Sequence, residues 1–158
     1  MIGGRFPRMD WRPNSGGEIR TIEQAIAVAM RHGVVIPPDV AFFVDEFDKL
    51  SPSVTARGPE IRRFPGGRVR WADLVNNRTG KVPFLVRPDI LGSDEAIVAV
   101  IAHEVHEIEG FRQLVALRGS ISFEEFVAHH SPDNPGNLHH EAWDIADSLV
   151  RRMRGEAP

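Results

Sequence analysis

Seven consecutive apolar residues, Ala96 to Ala102, run without a break into His103-Glu104-Val105-His106-Glu107. Ser93 stands ahead of them as a helix N-cap, with Asp94 and Glu95 well placed in the first turn. The pattern predicts a helix through Val105 and Ile108 to Leu117, weakened or bent at Gly110. From Asp94 to Ile108 it is apolar on nearly every side until the histidines, and a helix that is apolar all round has to be buried. The rest of the chain must therefore wrap this one helix. At 158 residues it is one domain's worth and can bury roughly 70% of its unfolded surface without a staple.

The wrapping elements are legible from their punctuation. Residues 1–20, rich in Gly, Pro and Arg, read as a flexible lead-in or linker, leaving residues 21–154 as a single domain. Thr21-Ile22-Glu23-Gln24 has the form of a capping box, opening a helix that stops at Gly33. Val34 to Phe43 holds two apolar stretches on either side of Pro37-Pro38, which predict a short strand from Val34 and a second at Val40 to Val44. Arg68 to Val75 alternates polar and apolar residues, Asn76 to Gly80 is a turn, and Val82 to Val86 is a further strand. Together they read as a hairpin, with Pro83 best suited to an edge position. Ser122-Phe123-Glu124-Glu125 is a second capping box, for a short helix to Ala128, and an amphipathic helix runs from Leu138 to Met153. The fold expected is α+β: a small, mainly antiparallel sheet packed on the central helix, with helices flanking it at the N- and C-terminal ends.

Composition removes several chemistries. Without cysteine there are no thiolate metal sites, cysteine nucleophiles or disulfides. Nineteen basic against 22 acidic side chains give −3, which makes a general nucleic-acid binder unlike this chain. The longest apolar run is far short of a membrane span and the N-terminus has no signal-peptide core. A soluble protein is expected, with no membrane partner, cytoplasmic or carried as a module of a larger secreted protein.

What remains conspicuous is histidine. Six of the seven fall between His103 and His140. His103 and Glu107 lie one turn apart, separated by about 40° around the helix, and project side by side; Glu104 flanks them at about 100°. An imidazole and a carboxylate one turn apart can hold a divalent metal, and a free glutamate beside them can take the proton of water acidified by it. A third ligand is sought on the last helix. His139 falls within its apolar arc with Trp143, whereas His140 and Asp144 fall on its polar side. His139 is preferred, then His140 with Asp144, then the His129-His130 pair of the loop before that helix.

His103-Glu104-Val105-His106-Glu107 resembles the HExxH helix of zinc-dependent metallopeptidases, the zincins, with Glu107 in place of the second histidine. Residues 68–150 also follow the order of a minimal zincin core: an edge strand at Val82–Val86, the active helix, then a helix that supplies a third ligand. The likeness implies Zn²⁺ bound by His103, Glu107 and His139 or His140, Glu104 as general base, and a protein or peptide substrate. Compact zincin-like domains of bacterial polymorphic toxins are similar in size, which would imply a cognate immunity protein as partner. Two other classes compete. One is a non-catalytic interaction protein with a relict or structural metal site. The other is a metal-dependent nuclease, since His129-His130 and His139-His140 faintly resemble the His-Asn-His nucleases, at too short a spacing.

Overall fold

The computed structural model describes residues 11–14, 18–44, 67–68, 82–129 and 137–156. Among these, four helices and three strands follow in the order α1 (Ile22–Arg31), β1 (Val40–Val44), β2 (Gly67–Arg68), β3 (Val82–Val86), α2 (Asp94–Arg118), α3 (Phe123–Ala128) and α4 (Leu138–Met153), with a 3-10 turn at Pro88–Gly92 between β3 and α2. The class is α+β. No helix among the described residues is long and apolar enough to cross a membrane.

The helix starts are built as their sequences indicate. Thr21 Oγ1 accepts from Gln24 N and Gln24 Oε1 accepts from Thr21 N, closing the capping box of α1. Gly33, at φ +95°, takes the left-handed conformation that ends the helix. Ser93 Oγ accepts from Ala96 N at the head of α2, and left-handed Gly119 closes its far end. At Ser122 only half of the expected box forms. Its hydroxyl accepts from Glu125 N, but the Glu125 carboxylate turns to Arg118 instead.

The sheet differs from the expected antiparallel one. Its order is β1-β3-β2, with β1 and β3 parallel over five residues and β2 antiparallel to β3 over two. Val82–Val86 is therefore the central strand among the described residues, not an edge. Pro83 is accommodated because amides along a strand point alternately to its two sides. Val82 N donates to Asp39 O ahead of β1, so the Pro83 nitrogen faces the other side, where the described residues of β2 pair with Leu85 and Val86. Of the expected strand Arg68–Val75 only Arg68 belongs to the described residues, and Val34–Ile36 is not a strand.

The buried side chains of β3, Val82, Phe84 and Val86, belong to one apolar core with α2, which is buried continuously from Ala96 to Val105. α1 and α4 pack against α2 as well, so it is the central helix. Part of the stretch read as a lead-in is packed in place. Trp11 is fully buried against Trp143. Arg12 O accepts from Ser93 Oγ, and Arg20 pairs with Asp94 at 2.5 Å.

α2 runs on through Gly110 to Arg118. A Cβ at Gly110 would lie 2.6 Å from Leu138 Cδ2, so the glycine is the gap into which the first residue of α4 fits.

Candidate metal centre

His103, Glu107 and Gly110 form one stripe of α2, and the start of α4 is pinned against it. Leu138 fills the gap at Gly110, its amide donates to His129 Nδ1 at 3.2 Å, and the N-cap Asn137 Oδ1 accepts from His140 N at 2.8 Å. The next side chain, His139, then reaches across. Its Nδ1 lies 2.7 Å from Glu107 Oε2, and the same carboxylate oxygen is 3.2 Å from His103 Nε2. The two imidazoles meet edge to face with centroids 4.7 Å apart. Glu104 completes the group, with Oε2 at 3.5 Å from His103 Nε2.

These ionisable side chains are largely buried between α2 and α4. His103 and Glu107 are 3% and 5% exposed, Glu104 is 10% exposed, and His139, at 20%, is the member open to solvent. Burial, with the Glu107 carboxylate close by, pushes the Glu104 carboxyl well above the usual carboxylate range. Apolar residues would hold α2 and α4 together at lower electrostatic cost, which makes the cluster the candidate functional site.

His103, Glu107 and His139 each offer a ligand atom within 4.8 Å of the others. Two imidazoles and a carboxylate are a zinc donor set that leaves a fourth position open. Zinc with tetrahedral bonds of this kind separates its ligand atoms by about 3.3 Å. The 3.2 Å between His103 and Glu107 fits that value, while the 2.7 Å between Glu107 and His139 is hydrogen-bond spacing and has to widen. The donor set fits a divalent ion once the Glu107–His139 pair widens.

His140 is not in the group. Expected on the polar side of α4, it is 4% exposed, because the buried arc of that helix takes in His140, Trp143 and Asp147 and leaves Ile145 outward. Asp144 is exposed and lines a separate groove of about 570 Å³ with His106, Glu109 and Arg152. His129 caps α4 and packs edge-on to Phe111; His130 lies outside the described residues. His106 bonds Glu141 at 3.1 Å.

One participant escapes the metal-ligand pattern altogether. Trp143 donates from Nε1 to His139 Nε2 at 3.1 Å and lies on the His103 ring at a centroid distance of 4.1 Å. Its spacing of one turn from His139 was the available signal.

No protein-family model, curated protein or solved structure matches the chain.

Proposed function

We propose that the chain is a zinc-dependent hydrolase of peptide bonds, with His103, Glu107 and His139 as metal ligands and Glu104 as general base. The observation that carries this is the convergence of two helices on one buried His-Glu-His group with a further carboxyl at its side. Zinc held there would supply a Lewis acid for the substrate carbonyl and acidify the attacking water. Glu104 takes the proton from that water and passes it to the leaving amine. A carboxyl raised above its usual range accepts a proton more readily than an ordinary carboxylate. Glu107 holds His139 and His103 in register from a single oxygen, and the exposed side of His139 is where substrate enters.

Resemblance of the five-residue helix motif to that of the zincins supports the choice of peptide as substrate. Likeness to toxin modules supports an immunity protein as partner. A second reading is favoured by the near-complete burial of His103 and Glu107: an ion that ties α2 to α4 without chemistry. A peptide library presented to zinc-loaded protein separates the two. The wild type is expected to cleave it, and Glu104→Gln to keep its zinc while losing at least about a hundredfold in rate. A zinc-loaded wild type that cleaves nothing, or a Glu104→Gln variant as fast as wild type, would overturn the hydrolase.

A further inference from the structure

Trp143 follows His139 by one turn of α4 and touches both histidines of the cluster. Its indole N–H can only donate, so His139 Nε2, 3.1 Å away, accepts. The ring proton of His139 therefore sits on Nδ1, where it is donated to Glu107 Oε2 at 2.7 Å. Both ring nitrogens are engaged, one by each neighbour.

That arrangement conflicts with ion binding in a specific way. For His139 to join His103 and Glu107 around an ion, the Nδ1 lone pair has to be free. The ring proton then moves to Nε2, where it faces the Trp143 N–H, donor against donor. Ligation through Nε2 requires the same N–H to leave. Whichever nitrogen binds, the Trp143–His139 hydrogen bond has to break.

Building on the metal reading above, we infer that Trp143 is a positioning residue that latches His139 in its ion-free arrangement and must release it for an ion to enter. The exchange balances without an added reactant. The ion takes the Nδ1 lone pair, the ring keeps its single proton on Nε2, Glu107 trades a hydrogen bond for a ligand bond, and the indole N–H gives up its acceptor. Trp143 packs on Trp11 as well as His103, at centroid distances of 5.9 and 4.1 Å, so its release is felt beyond the cluster.

The test is a zinc titration of the full chain against a chromophoric chelator, wild type beside Trp143→Phe, which keeps a ring on His103 and removes the N–H. The variant is expected to bind zinc about fivefold more tightly, the equivalent of one net hydrogen bond. Long-range ¹H–¹⁵N correlation on the wild type gives an independent readout. His139 should carry its proton on Nδ1 without zinc and on Nε2 with it, and the Trp143 indole signal should move on zinc addition. Equal or weaker binding by the variant, with zinc bound by wild type, overturns the latch and leaves the metal site standing. Binding by neither protein overturns both. If Trp143→Phe does not fold, the wild-type spectra decide: an ion-free Nε2–H ring or an unmoved indole signal sinks the latch.

Discussion

The first turn of α2 and its middle both bury carboxylates, and they do so by opposite means. Burial alone would raise the Glu95 carboxyl, but the Arg154 guanidinium grips it with two bonds, at 2.8 and 2.6 Å, and Arg12 N adds a third at 2.9 Å. Together these outweigh burial and hold Glu95 below its usual range. Glu104 has instead a second carboxylate, Glu107, and an imidazole for neighbours, and its carboxyl is pushed up. One region fastens the chain ends to the central helix. The other gathers imidazoles and carboxylates between two helices, and it is on this cluster that the proposed function rests.

The contrast can be broken from either side. Arg154→Ala leaves Glu95 half-sunk without its cation and should cost about 2 kcal/mol at pH 7, somewhat less than a fully buried pair. Because the folded carboxyl is depressed, the stability it brings is present above the ordinary carboxylate range and lost as pH falls through the folded value. The gap between wild type and variant in urea denaturation should therefore close in acid. A constant gap across pH would show that Arg154 acts by packing alone.

Glu104→Gln should do the reverse in ion-free protein. A carboxyl raised in the folded state lets the unfolded state ionise first, so stability falls as pH rises above the ordinary carboxylate range. Removing the group should lift the melting temperature by a few degrees at pH 7 and leave it unchanged near pH 4. A variant that melts lower than wild type at pH 7 would mean that Glu104 is a favourable structural group.

The smallest expected effect concerns the seat of α4. Gly110→Ala gains helix propensity but drives a Cβ into Leu138, so Leu138→Ala should cost less in that background than in wild type. A coupling of about 0.5 kcal/mol or more in a double-mutant cycle is expected, whereas additivity would show that the two helices do not touch there.

What could be read from the sequence is what local geometry controls. The caps at Thr21 and Ser93 and the stop at Gly33 follow from side chains reaching backbone within one turn. The His103–Glu107 pair follows from helical spacing, and the choice of His139 from its place beside Trp143 in the apolar arc of α4. What escaped depends on partners far along the chain. The parallel pairing of β1 with β3 joins Val40 to Val82, and nothing in either strand's own alternation says which neighbour it will choose. The burial of Trp11 and the grip of Arg154 on Glu95 are likewise long-range. His140 went astray because a helical wheel weighs residue types, while the buried arc of α4 runs through His140, Trp143 and Asp147.

The central claim is that His103, Glu107 and His139 act together on one ion. Zinc content by elemental mass spectrometry, on tag-free protein equilibrated with zinc and then desalted, tests it most directly with wild type beside His103→Ala and His139→Ala. About one zinc per chain in the wild type, lost in both variants, is the expected result. A wild type without zinc, or variants that retain it, would contradict the claim.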